Sequence, residues 1–237
     1  MLKSFSAPRR AVETPPRQPV AVDRSTPAAA LRTLAQAYVQ GDPDALMACL
    51  DDRDSAWPRG RVQGWAGFVE AAGRLRRAAD AAFGAGCGDA LVREVLERDP
   101  KVQGLAMLDL LARGAFAKVS ADAPTVAVSE SFVLGPTWLV RTDDGWKIAG
   151  GPDHQKAAPK IDPQLLREAM DRSDRLVVAD AETAHLLADG IESGGLPSIN
   201  KARHVGERER TRARDRAGCT DKKFSQRLLA AVGRNSK

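Results

Sequence analysis

The ionisable residues of this chain offer one kind of chemistry, acid–base work by a carboxylate. A carboxyl group held in a dry cavity has a raised pKa and can give or take a proton near neutral pH. Three aspartates are candidates: Asp52 and Asp54 in the acidic, proline-containing loop 51–60, and Asp109 among the apolar residues of 105–111. A solvated loop and an outward position on an amphipathic segment account for the same residues without catalysis. We prefer that interpretation.

No other catalytic set can be assembled from the sequence. Cys49, Cys87 and Cys219 are far apart and odd in number, which matches neither a metal-ligand spacing nor a disulfide framework. The glycine-rich run 84–88 follows a predicted helix rather than a strand, so it indicates a helix stop and not a phosphate loop. The histidines lie outside the predicted core elements: His154, His185 and His204. We therefore expect no metal and no cofactor.

Helix signals dominate the first half of the chain. Thr26 is a suitable N-cap, Pro27 suits the first helical turn, and Gly41 suits the left-handed position that ends a helix. Asp42 then caps a second helix at once. The predicted helices follow one another over residues 27–40, 42–50, 62–83, 89–98 and 100–111.

The long third helix, residues 62–83, is predicted to be the core helix. Its apolar residues recur at helical spacing and form an inward stripe that includes Trp65 and Phe68. The polar residues of the same helix are predicted to face outward: Arg74, Arg76, Arg77 and Asp80.

Short strand signals replace the helical period after Gly114. Valine, threonine and aromatic residues gather in runs bounded by turn residues. Asp144-Gly145 favours the tight turn of a hairpin. The predicted strands are 116–119, 125–128, 132–134, 137–141 and 146–149. Helices followed by an antiparallel meander predict an α+β fold.

Composition divides the chain into four parts. Residues 1–26 hold several prolines and no hydrophobic period, so they are predicted to be a disordered lead-in. The main domain covers 27–150, and a linker with a helical extension covers 151–200. A basic tail, predicted to be disordered, covers 201–237. Its 12 Lys and Arg against 4 Asp and Glu give a balance of +8.

The extension is predicted to contain two short helices. Asp162-Pro163 caps the first, which ends near residue 172, and the second covers 181–188. From Gly194 onward order is expected to fade, because the charges of the following segment are spread all round a helix without an apolar stripe.

Three motifs resemble the nuclear transport factor 2-like (SnoaL-like) superfamily. Residues 40–46 (QGDPDAL) resemble its junction between the first two helices, and residues 140–148 (VRTDDGWKI) its closing hairpin. Residues 121–126 (ADAPTV) are similar to an earlier strand turn of that family. Together the motifs span about 28–150. The resemblance implies a cone-like fold, in which a curved sheet wraps a long helix and often encloses a pocket.

The same resemblance bears on catalysis. Isomerases of this superfamily use a tyrosine on the first helix and a carboxylate just before a proline in the loop after the second helix. Leu34 and Trp57 stand at the matching positions here. Tyr38 comes one turn too late and is predicted to be a core residue whose hydroxyl reaches the surface. The expected pocket residues are Tyr38, Trp57, Trp65, Phe68 and Trp138.

These patterns favour a non-catalytic module that binds a small hydrophobic ligand or forms a homodimer. A pocket enzyme of the polyketide-cyclase or isomerase type, acting on a hydrophobic cyclic substrate, is the first alternative. Weak polyanion or nucleic-acid binding by the basic tail is the second. No apolar run approaches the ~18 residues of a membrane helix, so we expect a soluble, cytoplasmic protein, unless a leader precedes this start.

Overall fold

The fold is α+β and mostly helical. The computed structural model describes residues 11–51, 59–97, 125–129, 137–150, 162–220, 223–224 and 226–227. The helices are α1 (Pro27–Gln40), α2 (Pro43–Cys49), α3 (Arg59–Phe83), α4 (Cys87–Val95), α5 (Pro163–Glu192) and α6 (Ile199–Arg216). The strands are β1 (Thr125–Ser129), β2 (Thr137–Thr142) and β3 (Gly145–Gly150).

The junction between α1 and α2 confirms its prediction. The Thr26 side chain accepts a hydrogen bond from the Ala29 amide, as an N-cap does. Gly41 ends α1 in the left-handed region, with φ of 70°. The Asp42 side chain then caps α2 by accepting hydrogen bonds from two backbone amides of its first turn. Local sequence rules alone therefore determine this part of the fold.

Helix α3 is the central helix, as predicted, and it packs against α1, α2, α4 and α5. It begins a few residues before the predicted start at 62. Most of its predicted inward stripe is fully or almost fully buried: Phe68, Val69, Ala72, Leu75 and Ala79. Trp65 and Phe83 of the same stripe are only partly buried. The core is built mainly from alanine, leucine and valine, in keeping with the low aromatic content of 5%.

The strands form one three-stranded antiparallel sheet in the order β1-β2-β3. In the β2–β3 hairpin Val140 lies opposite Lys147, and Thr142 lies opposite Gly145 at the predicted turn. This small meander is not the cone-like sheet that the resemblance implies. The strands predicted at 116–119 and 132–134, and the helix predicted at 100–111, lie outside the described residues.

The predicted disordered lead-in is wrong over residues 11–26, which are attached to the body by hydrogen bonds. The Val20 amide donates to Asp42 Oδ2 at 2.8 Å, and the Trp146 amide donates to the Arg24 carbonyl at 2.9 Å. A segment held by hydrogen bonds needs no apolar period to dock. Its polar groups find partners on α1, α2, α3, α5 and β3, a kind of attachment that a search for hydrophobic periodicity cannot detect.

The C-terminal predictions are corrected in two places. Helix α5 runs unbroken from Pro163 to Glu192 instead of dividing into two helices. Helix α6 is ordered and docked, where the sequence predicted a disordered tail from 201. Its buried residues are Ala202, Gly206, Arg210 and Ala213. Because these residues are small or charged, α6 lacks the stripe of large apolar residues by which a docked helix is ordinarily recognised.

Candidate functional site

The structure brings three of the predicted site residues together. Four others lie outside the described residues: Asp52, Asp54, Trp57 and Asp109. Trp138 lies in β2, where its backbone is opposite Ala149 of β3. The remaining three, Tyr38, Trp65 and Phe68, form one aromatic group between α1 and α3.

Phe68 is the member of the aromatic group that contacts both other rings. Its ring centroid lies 6.3 Å from that of Tyr38 and 6.0 Å from that of Trp65, and the Trp65 ring stands at 89° to it. Edge-to-face contacts of this kind are favourable because the positive ring edge meets the negative ring face. Phe68 is buried, whereas Trp65 is only partly buried. Trp65 therefore connects the group to the surface.

Tyr38 is a core residue, but its hydroxyl does not reach the surface as predicted. The side chain is 5% exposed, and its hydroxyl donates a hydrogen bond to Glu97 Oε1. Glu97, just past the end of α4, is itself buried. Its hydrogen-bond partner Tyr38 lies 59 positions earlier in the chain. Nothing in its sequence spacing distinguishes it from a solvated acid, so sequence analysis missed it.

Arg76 was predicted to face solvent and is instead 4% exposed. Its Nε donates to Asp89 Oδ1 at 3.0 Å and its Nη1 to the Tyr38 carbonyl at 3.0 Å. The guanidinium carbon also lies 4.9 Å from the centroid of the Tyr38 ring. The third nitrogen, Nη2, is 3.8 Å from Glu97 Oε1 and has no hydrogen-bond partner among the described residues.

We call Tyr38, Phe68, Arg76 and Glu97 the Tyr38 cluster. Burial raises the pKa of Glu97, and this effect outweighs the hydrogen bond from Tyr38 and the charge of Arg76, which both lower it. Burial and then the negative charge of Glu97 raise the pKa of Tyr38 far above its usual value, against the opposing charge of Arg76. Tyr38 and Glu97 therefore lose their protons at higher pH than the same groups do in water.

This arrangement predicts that Tyr38 does not ionise while the chain is folded. The unfolded phenol titrates near pH 10, and the folded one keeps its proton at higher pH. Since the folded state then binds more protons than the unfolded state, stability falls above about pH 10 by roughly 1.4 kcal/mol per pH unit.

Tyr38 is the single tyrosine, so the ultraviolet absorbance of the phenolate reports it alone. The control is the urea-unfolded chain. A phenolate transition near pH 10 with the fold intact contradicts the assignment.

Helix α6 carries much of the basic charge that suggested polyanion binding, but most of it is paired internally. Arg210 and Arg214 both bind Asp180, and Arg208 and Arg212 both bind Glu209. Arg216 lies 3.5 Å from Glu182. These ion pairs offset the positive potential that a polyanion would meet.

Comparison of the chain with protein-family models, with curated proteins and with solved structures finds no match. Among the residues that the structure describes, no three His, Cys, Asp or Glu side chains are grouped so that they could hold a metal ion. Within the same ranges no helix is both long and apolar enough to cross a membrane.

Proposed function

We propose that this chain is a non-catalytic module that binds a small hydrophobic ligand, with the Tyr38 cluster as its polar anchor. The observation that carries the proposal is Nη2 of Arg76, a buried charged donor that has Glu97 Oε1 at 3.8 Å but completes no hydrogen bond within the described part of the chain. More than nine in ten buried polar groups are hydrogen-bonded, and leaving one unpaired costs about 1–3 kcal/mol. A ligand that accepts this hydrogen bond removes that cost.

The surroundings of Arg76 define the chemistry of the ligand. Asp89 already compensates the guanidinium charge, at 3.0 Å from Nε, so the ligand needs an acceptor atom rather than a negative charge. The Tyr38 ring lies 4.9 Å from the guanidinium carbon, and Phe68 and then Trp65 continue the aromatic surface from Tyr38. These features favour a small apolar molecule with a carbonyl oxygen.

The three motifs within residues 28–150 support an assignment of this domain to the nuclear transport factor 2-like superfamily, whose members often enclose a pocket. We propose that assignment together with the function. A ligand site between the first helix and the long helix agrees with it, since Tyr38 lies on α1 and Arg76 on α3.

The test uses 2-acetylnaphthalene, which has an aromatic ring system and one carbonyl, and 2-ethylnaphthalene, which lacks the carbonyl. We expect saturable binding of the ketone in a ¹⁵N-NMR titration, with shifts at the Trp65 indole and the Arg76 guanidinium. A hydrogen bond from a charged donor contributes about 1.5–3 kcal/mol, so the hydrocarbon is expected to bind at least 10-fold more weakly. Equal affinities, or no binding of either compound, contradict the proposal.

A matched pair of variants locates the site. Arg76→Gln is expected to remove the preference for the ketone. Arg77→Gln, at the next residue, is expected to keep it, because Arg77 donates to the carbonyls of Pro15 and Gln40 away from the cluster. Circular dichroism verifies that both variants are folded.

One observation favours a pocket enzyme as a second candidate, namely the buried Glu97 carboxyl beside the Tyr38 phenol. Such a carboxyl can act as a general acid or base. In D₂O an enzyme of this kind would accelerate deuterium exchange at the methyl group next to the ketone carbonyl. The binding module predicts exchange at the buffer rate. Accelerated exchange that Glu97→Gln abolishes would replace our proposal with the enzyme.

A further inference from the structure

Helix α6 reaches the Tyr38 cluster through one buried side chain. Arg210 is 7% exposed, and its Nη2 donates a hydrogen bond to the carbonyl oxygen of Leu96. Leu96 is the C-cap of α4 and immediately precedes Glu97. Carbonyls in the last turn of a helix have no partner within the helix, and Arg210 supplies one from the far end of the chain.

Arg210 is held in place from the other side by α5. Its Nε and Nη2 lie 3.0 and 3.3 Å from the two carboxylate oxygens of Asp180, which is 4% exposed. Arg214 binds the same two oxygens at 3.1 and 2.8 Å. A planar guanidinium bound to both oxygens of a carboxylate has a defined orientation. Asp180 thereby orients the Arg210 guanidinium toward the Leu96 carbonyl.

The packing of α6 gives this contact little freedom. Gly206, one turn before Arg210, lies so close to α4 and α5 that an added Cβ would be 2.8 Å from Val95 Cγ1 and 2.9 Å from Leu187 Cδ1. The helix backbone therefore rests directly on the last turn of α4. Arg210, one turn further along this helix, is held where it reaches both Asp180 and the Leu96 carbonyl.

We infer that Arg210 is a positioning residue for Glu97, so that α6 forms part of the ligand-binding unit. The hydrogen bond to the Leu96 carbonyl acts together with the bond that the Glu97 amide donates to the Val92 carbonyl at 3.1 Å. Both ends of the peptide plane from which Glu97 departs are therefore held, and with them the carboxyl against Tyr38 and Arg76. The functional meaning of this inference rests on the function proposed above; the coupling of Arg210 to Glu97 does not.

The experiment compares Arg210→Met with Arg214→Met in the full chain. Each variant removes one arginine from Asp180 and leaves the other, but only Arg210→Met removes the donor to Leu96. The readout is the ¹³C titration of the Glu97 carboxyl. The other charged groups acting on Glu97 are Arg76, Asp89 and Arg93, and neither variant changes them.

In Arg210→Met we expect the Glu97 titration to move down toward the range of a solvated glutamate. In Arg214→Met the Glu97 titration is expected to stay at its wild-type position. Equal shifts in the two variants, or no shift in either, overturn the inference. If Arg210→Met does not fold, Arg210→Lys against Arg214→Lys decides by the same criterion, since a lysine keeps the charge but has no fork to serve both acceptors.

Ketone binding separates this inference from the proposed function. If the wild-type chain does not bind 2-acetylnaphthalene but Arg210→Met shifts the Glu97 titration, the proposed ligand is wrong and the positioning role of Arg210 stands. If the wild-type chain binds the ketone but Arg210→Met leaves the Glu97 titration unchanged, only the positioning role of Arg210 is wrong.

Discussion

Gly73→Ala is expected to destabilise the protein by about 3 kcal/mol or more, the upper end of the range for overpacked sites. A Cβ at Gly73 would lie 2.3 Å from the Gly41 Cα and 2.8 Å from the Gly41 nitrogen. Both are backbone atoms, so no side-chain rotation relieves the clash. Gly41 is also fixed by its left-handed conformation at the end of α1. The variant must therefore push α3 away from the α1–α2 junction.

Gly67→Ala is the matched control on the same helix. A Cβ at Gly67 meets nothing within 4 Å, and alanine is favoured over glycine in a helix interior by about 1 kcal/mol. We expect this variant to be more stable than the wild type. Urea unfolding followed by circular dichroism measures both changes. Two variants of similar stability would show that α3 does not approach Gly41 as closely as the structure has it.

These two glycines show what the sequence can predict about the fold. Gly41 follows an apolar helical stripe and precedes Asp-Pro, so its role as a helix terminator is visible locally. The role of Gly73 depends on a residue 32 positions away and has no local sign. The end of α1, the start of α2 and the hairpin between β2 and β3 were predictable for the first reason.

The residues of the candidate site also fall into two groups, those that the sequence suggested and those that it did not. Tyr38, Trp65 and Phe68 were predicted as pocket residues because they are large aromatic side chains among predicted core helices. Arg76 and Glu97 were not, because charged residues on amphipathic helices ordinarily face water. Their burial becomes tolerable only when Tyr38, Asp89 and each other provide partners. That condition is a property of the assembled helices and not of any segment.

The ends of the chain were misjudged for a related reason. Sequence analysis equated the lack of an apolar stripe with disorder. Helix α6 docks through Ala202, Gly206 and Ala213, whose small size lets backbones approach, and through the buried pair of Arg210 and Asp180. Small residues bury little apolar surface each, so an ordinary hydrophobicity pattern does not reveal such an interface.

Leu75→Ala is expected to cost about 2–5 kcal/mol of stability. Leu75 is fully buried in the middle of α3 and belongs to the core that this helix shares with its neighbours. Removing its side chain loses the transfer free energy of the deleted carbons and leaves a cavity that the surrounding helices fill only in part. A loss of this size is a large share of the total stability of an ordinary domain.

Leu186→Ala makes the same chemical change at the surface, since Leu186 of α5 is 44% exposed. We expect its stability to stay within about 0.5 kcal/mol of the wild type. Chemical denaturation of both variants, with the slope of the transition compared to confirm a common unfolding reaction, tests the expectation. If Leu75→Ala unfolds at the wild-type denaturant concentration, α3 is not the core helix. The positions of Arg76 and Phe68 on that helix, and with them the Tyr38 cluster, would then have to be abandoned.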